Sequence, residues 1–369
     1  MAVSSSLLLA GCTGGDDGSG TGGGGSDLPN QELFFAQVKG ALDMDPIIIN
    51  DVPSAQIAGQ MFDGLYEYDE GVGIVPKIAA DHPTVERDGT RFIVPIRDDA
   101  TFQNGDPVTA EDVMHTVLAP ADEETGNAAE VDMVESAEAI DETTVQFDLE
   151  FPFGAFEVAL VRNVVNESVR TDDRENYNVD PVGSGPYQLA DWEPENFATL
   201  ERWDDYWDDA NGLPNVATIE FDPIEEQTTR VTELETGNVD IIETIPPQLY
   251  ETVRNNDNAT IDEEPGVGYF YLAFNCAEGP TADPDVREAV DYCFSMDQAI
   301  ENFVQPSGVR QVSPYPATMA EEWDFPLEDW GDISHGRDLD AAEDLFEEAD
   351  VDMDYDWRII VPPDDMREQ

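Results

Sequence analysis

The sequence predicts an α/β protein of two or more domains, and three observations carry the prediction. A chain of 369 residues is long enough for more than one buried core. Its 40% hydrophobic content is that of a globular protein. The third observation is the order of signals between residues 181 and 243. A Gly-Ser-Gly-Pro turn at 183–186 feeds two runs of period-2 alternation, 187–192 and 197–203, separated by Pro194-Glu195, which reads as a β-hairpin. The aromatic cluster Trp203, Tyr206 and Trp207 follows, then a strand at 216–221, a helix at 225–235 stopped by Gly237, and a short strand at 239–243.

Upstream, 32–38 reads as the first strand and 41–46 (ALDMDP) as a loop. Residues 54–66 place Ile57, Met61, Phe62 and Leu65 on one helical stripe, a core-packing face. Asp88-Gly89 sits at the centre of a hairpin over 85–97. Thr109 caps a helix at 109–118, with Glu111 and Asp112 in the first turn, where the helix dipole favours anions. A further hairpin spans 131–149 around Asp141-Glu142, and 153–160 is a short amphipathic segment. Beyond 243, residues 246–255 read as a helix and 267–275 (VGYFYLAFN) as a mostly buried strand of alternating aromatics. Asp283-Pro284 opens a long helix reaching Phe303, with Val286, Val290, Phe294, Ile300 and Phe303 as its buried stripe. A helix at 338–349 and a strand at 355–361 complete the pattern.

Several of these segments carry a family likeness. PVGSGPY at 181–187, ER-x-x-x-YW at 201–207 and L-x-x-G-x-V-D-I at 234–241 stand in register, in an order that resembles the family 5 extracellular solute-binding proteins. That family comprises the dipeptide, oligopeptide and nickel-binding receptors of ABC importers. The likeness extends upstream through the Asp88-Gly89 hairpin, F-x-x-G-x-P at 102–107 and TA-x-DV at 109–113, and downstream through D-x-x-V-R-x-A at 283–289. Ser184 stands where the family has Thr, and Gln298 where it has Arg.

The resemblance implies a two-lobed, periplasmic-binding-protein-like fold, with mixed sheets flanked by helices, a hinge between the lobes and an extra subdomain in the first. Residues 28–66 and 181–268 then form the first lobe, 67–180 the inserted subdomain, and 269–369 a second lobe expected to be incomplete. In the family the strand matching 267–275 crosses between lobes beside the ligand. Tyr269, Tyr271 and Asn275 are therefore candidate cleft residues, the alternative being that the tyrosines pack at the hinge. Loop 41–46 matches a cleft-lining Leu-Asp-Pro segment, which points to Asp43, although Met44 and Asp45 separate it from Pro46.

Charge and cysteines bear on the compartment. Acidic residues number 83 against 16 basic ones, for a formal charge of -67, and the acid is spread along the chain. At molar salt the Debye length shrinks to roughly 3 Å and self-repulsion is screened, so the charge predicts a salt-adapted surface, that expected of a protein from an extreme halophile. Nothing offers the basic footprint that nucleic acid needs. Leu9-Ala10-Gly11-Cys12 follows an apolar run and precedes a Gly-rich stretch. It resembles a lipoprotein processing site, making 1–12 a partial signal, 13–27 a flexible tether and Cys12 the lipid attachment point at the outer face of the cell membrane. Cys276 and Cys293 are left either bridged or as small buried hydrophobes.

Signatures of catalysis are missing. The three histidines, His82, His115 and His335, have no metal-ligand spacing, and the chain carries no H-E-x-x-H, G-x-S-x-G, Walker A or G-x-G-x-x-G. Asp204-Asp205 and Asp208-Asp209 lack the spacing of a calcium loop and read as solvated surface. The sequence thus assigns no catalytic residue, metal or cofactor, and no nucleic-acid partner. It points to a monomeric, membrane-anchored receptor that captures a small solute, a di- or oligopeptide first, and passes it to an ABC permease. A nickel complex or an oligosaccharide is the alternative ligand. A structural surface lipoprotein is the alternative class, but it predicts repeats or a second low-complexity stalk, and the chain has neither.

Overall fold

A computed structural model of the protein describes residues 31–69, 73–208, 214–263, 268–269 and 271–306, together with 308–311, 313, 315–316, 319–320, 325–326, 336–352 and 355–360. Two compact units, Met1–Thr244 and Ile245–Gln369, divide the chain.

In the first unit, β1 (Glu32–Gln37) leads through a loop to α1 (Val52–Met61), and β2 (Tyr66–Tyr68) pairs with β3 (Ile74–Pro76). The strands β4 (Thr84–Glu86) and β5 (Arg91–Pro95) precede α2 (Ala110–Asp122), β6 (Val134–Asp141) and β7 (Thr144–Leu149). Three short helices follow, α3 (Phe156–Ala159), α4 (Glu167–Asp172) and α5 (Arg174–Tyr177). The hairpin β8 (Tyr187–Glu193) and β9 (Phe197–Arg202) leads to β10 (Thr218–Pro223), α6 (Gln227–Thr236) and β11 (Ile241–Ile242).

These strands build a five-stranded mixed sheet in the order β11-β1-β10-β9-β8 and a four-stranded antiparallel sheet in the order β4-β5-β7-β6. β1 runs parallel to both β10 and β11, whereas β10 and β8 are antiparallel to β9. The apolar stripe of α1 packs on the first sheet, where Ile57 and Met61 join Phe35, Leu200, Ile219 and Phe221 in one core. A second core is built from Phe92, Val94 and Phe147 of the other sheet with Val113 and Val117 of α2. Local chemistry sets the ends of these helices. Asp51 accepts from Ser54 N at 2.9 Å, with Pro53 in the first turn of α1, and Thr109 and Asp112 form a reciprocal capping box on α2. Gly237 closes α6 in the left-handed conformation, φ 72°.

The second unit holds α7 (Tyr250–Arg254), α8 (Pro284–Cys293), α9 (Met296–Ala299) and α10 (Leu339–Glu348) among its described residues. It departs from the sequence reading in three places. The expected helix from Asp283 to Phe303 is broken at Phe294, which takes an extended conformation. Ser295 Oγ then accepts from Gln298 N and starts α9, so a capping hydroxyl competed with helix continuation. Of the expected stripe Val286 is buried, while Phe294 and Phe303 are 45% and 55% exposed. Second, the described part of 267–275 forms no strand, and Tyr271 is 74% exposed. Third, 355–360 is likewise irregular, with Ile359 and Ile360 exposed. Aromatic and β-branched residues favour a strand only where a neighbour satisfies the backbone, and no described pairing includes either segment. The first unit ends at Thr244, just past β11, which pairs with β1.

Candidate functional site

Three of the recognised sequence blocks meet at one corner of the first unit. At Gly183 a Cβ would lie 1.9 Å from the carbonyl oxygen of Met61, and at Gly185 2.6 Å from the carbonyl carbon of Met61, so only glycine lets the turn sit on the end of α1. Gln103, from the F-x-x-G-x-P block, holds that turn. Its Nε2 donates to Tyr187 O at 2.7 Å and Gly185 O at 3.0 Å, and its Oε1 accepts from Gly183 N at 3.2 Å. Ser184 Oγ accepts from Asp63 N at 3.1 Å, a bond that needs only a hydroxyl and so tolerates serine for threonine.

Asp63 is the buried centre of this corner. It accepts from Tyr206 OH at 3.0 Å and from Trp207 Nε1 at 2.9 Å, with Lys77 Nζ at 3.8 Å. Burial pushes its carboxyl up to about 7, against the opposing pull of Lys77 and of the Tyr206 and Trp207 hydrogen bonds. Lys77 also bonds Asp208 at 2.6 Å, and Arg97 lies 4.7 Å from the centroid of the Trp207 ring. The corner therefore serves as a fixed scaffold, with its polar groups consumed by one another.

A second assembly fixes the loop after β1. Ser54 Oγ accepts from Leu42 N at 2.9 Å and Asp43 N at 3.1 Å. Asn178 Oδ1 accepts from Met44 N at 2.6 Å and Asp45 N at 3.0 Å, and its Nδ2 donates to Asp43 Oδ1 at 3.1 Å. Beneath lies Arg170, 1% exposed, whose Nε donates to Asp45 Oδ2 at 2.9 Å and whose two terminal nitrogens donate to Glu123 at 2.6 and 2.8 Å. Burial raises the Asp45 carboxyl despite Arg170. At Glu123 burial also pushes upward, but the Arg170 hydrogen bonds and charge more than offset it and the carboxyl is held below its usual range. Asp43 is half-buried and Leu42 exposed on this fixed loop.

The sequence-predicted residues are thus divided. Asp43 belongs to the first unit, and Tyr269, Tyr271 and Asn275 to the second. Tyr269 and Tyr271 contact each other with ring centroids 5.6 Å apart. Asn275 Oδ1 accepts from Ala277 N at 3.0 Å, so that side chain stabilises a local turn. Cys276 and Cys293 are free thiols, and Cys276 is exposed, so neither the bridge nor a buried position describes it. Cys12, the tether and His335 lie outside the described residues. His82 pairs with Glu157 at 2.5 Å, His115 Nε2 lies 3.3 Å from Arg170, and among the described residues no cluster of His, Cys, Asp and Glu could hold a metal ion. Sequence reasoning missed Asp63, Gln103, Arg170 and Asn178. Their partners lie far along the chain, and the one local cue was Asp45, the residue that interrupts the Leu-Asp-Pro match.

The fold is that of the periplasmic peptide-binding proteins, α/β with sheets flanked by helices. The oligopeptide-binding protein AppA from Bacillus subtilis, in complex with a nonapeptide, superposes with a TM-score of 0.73 at 21% identity, covering 87% of this chain and 64% of that one. DppA from Helicobacter pylori with the peptide STSA gives 0.71 at 20% identity, over 86% and 66%. NikZ from Campylobacter jejuni with Ni(L-His) gives 0.70 at 20%, over 87% and 63%. Residues 73–369 match the family described as "Bacterial extracellular solute-binding proteins, family 5 Middle", and the chain belongs to that family. Among curated relatives, the glutathione-binding protein GsiB of Pectobacterium atrosepticum is 26% identical over 302 residues, 80% of this chain and 58% of the relative. Its counterpart in Escherichia coli (strain K12) is 28% identical over 259 residues, 68% and 50%. The chain spans about half the length of these relatives. Membership also supports the expectation of a binding protein rather than an enzyme.

Proposed function

We propose that the chain is the solute receptor of an ABC importer, capturing a di- or oligopeptide and delivering it to a membrane permease. The observation that carries this reading is the family match over residues 73–369. The choice of peptide draws on the relatives, which are named for glutathione, a tripeptide, and on the two superposed proteins with bound peptides. NikZ, with its nickel-histidine complex, supports a metal complex as the second ligand class. Asp43, Tyr269, Tyr271 and Asn275 are proposed to face the solute, with residues 28–66 and 181–268 as the first lobe, 67–180 as its insert and 269–369 as the second lobe. Closure is then favoured by whatever free energy the ligand gains from both lobes. The receptor is monomeric and held at the outer face of the cell membrane through lipidated Cys12. Its charge of -67 is an adaptation to salt.

Thermal unfolding in multimolar salt tests the reading, with pools of di- to octapeptides, nickel chelates and oligosaccharides. A ligand at one hundred times its dissociation constant stabilises the folded state by about 2.7 kcal/mol, enough to raise the midpoint visibly. A rise with peptides alone is the expected outcome. A rise only with another pool replaces the ligand, and no rise with any pool in folded protein defeats the receptor reading.

A further inference from the structure

In a chain with 83 acidic residues against 16 basic ones, cations are scarce. Within the first unit, carboxylates hold Lys77 and the ion-paired arginines, and backbone carbonyls hold Arg230. Lys39 differs. It is exposed, and among the described residues its ammonium makes neither an ion pair nor a hydrogen bond.

Its position is specific. β1, β10 and β11 are parallel, and their carboxyl ends fall at Gln37, Pro223 and Ile242, so Lys39 stands just beyond the carboxyl end of the middle strand. In open α/β sheets, ligands lie outside the carboxyl ends of parallel strands. The backbone carrying Lys39 is fixed on both sides. Val38 N donates to the Glu243 carboxylate, and Ile224 N to Gln37 O at 2.9 Å. Gly40 presses on the β8–β9 turn, where a Cβ would lie 2.4 Å from the carbonyl carbon of Glu195, and Glu195 N donates to Ala41 O at 2.9 Å. Two acids of the same edge are already engaged. Glu243 also accepts from Gln56 Nε2 at 2.6 Å, and Glu226 accepts from Thr228 N and Thr229 N at the start of α6.

We propose that Lys39 binds the terminal carboxylate of the captured peptide, an inference that rests on the receptor reading above. Among the described residues Lys39 is a cation at this edge whose ammonium has no partner of its own. At molar salt the Debye length is about 3 Å, so long-range fields fade and a direct charge-assisted hydrogen bond is what discriminates. Because the backbone is already ordered, binding immobilises little beyond the lysine side chain itself.

The test uses the full chain as wild type, Lys39→Met and Lys39→Arg, with di- to octapeptides offered as free acids and as C-terminal amides. Wild type is expected to prefer the free acids by about tenfold, the size of one charge-assisted hydrogen bond. Lys39→Met is expected to bind both forms equally, at the affinity of the amide, and Lys39→Arg to retain most of the preference. The unliganded unfolding midpoint is expected to be the same in all three, since the side chain is exposed. A wild type that binds both forms equally, or a Lys39→Met protein that keeps the preference, overturns the inference and leaves the receptor reading standing. A wild type that binds no peptide overturns both.

Discussion

Among the described residues every strand lies in the unit ending at Thr244, and both large hydrophobic cores are there too. From Ile245 onward the described regular structure is helical, and its buried apolar side chains are few and small: Val253, Val286, Ala289, Ala320 and Ala342. Yet helix caps are equally good in both units. Thr109 in the first has its counterparts in Asp283, Ser295 and Asp338 in the second. A cap is satisfied by backbone two or three residues away, whereas a strand needs a partner that only the rest of the fold supplies. Local order and tertiary anchoring are therefore separable in this chain, and paired substitutions across the two units can measure the separation.

The largest contrast is expected between two arginines. Arg170→Met strands Asp45 and Glu123 without their buried counter-charge, and its cost should reach about 3–5 kcal/mol in denaturant unfolding. Arg254→Met removes an exposed pair with Glu251 and should stay within about 0.5 kcal/mol. Similar costs for the two would show that the buried triad does not carry the loop. Next come two glycines. Gly183→Ala drives a methyl into the backbone of Met61 and should cost up to about 3 kcal/mol. Gly268→Ala meets nothing within 4 Å and should be neutral or slightly stabilising, by less than about 1 kcal/mol.

These pairs also mark what the sequence made legible. Gly183 and Gly185 could be read as a turn because glycine is the local signature of one, and the hairpin around Pro194-Glu195 follows from period-2 alternation. Residues 267–275 carry an equally strong alternation, but the described part finds no partner strand and stays irregular. The difference is tertiary, and a window of nine residues cannot contain it. The same holds for the site. Asp43 could be reached through a likeness in the 41–46 loop, but the side chains that fix it, Ser54 and Asn178, are 11 and 135 residues away along the chain. Buried polar partners at such separations leave no periodic trace, and in so acidic a chain Asp45 and Asp63 cannot be told from surface acid by type alone.

Asp63 gives the third prediction, because its environment titrates where exposed acids do not. Its folded carboxyl lies near 7 and the ordinary value is 3.8, so between those limits the folded state holds more protons than the unfolded one. Its contribution to stability is thus complete below about pH 4 and is lost as pH rises to about 7, at up to about 1.4 kcal/mol per pH unit. Asp63→Asn removes this titration. The stability of wild type minus that of Asp63→Asn should fall from pH 4 to pH 7 and level off above. Taking the difference cancels the many exposed carboxylates common to both proteins. A flat difference would mean that the Asp63 carboxylate is ionised throughout, held by Lys77.

The smallest effect tests the comparison most directly. Thr109→Ala and Asp338→Ala each delete one capping side chain, and each should cost its helix about 1 kcal/mol. In the first unit α2 packs through Val113 and Val117 into a core shared with the four-stranded sheet, so its loss is coupled to the whole and should appear in global unfolding. In the second, α10 has only Ala342 fully buried, so the same loss should appear as faster amide exchange within 339–348, with the global midpoint hardly moved. If Asp338→Ala instead lowers the global midpoint as far as Thr109→Ala does, α10 is tied to the cooperative core as tightly as α2. Tertiary anchoring in the second unit would then rest on more than its few buried side chains.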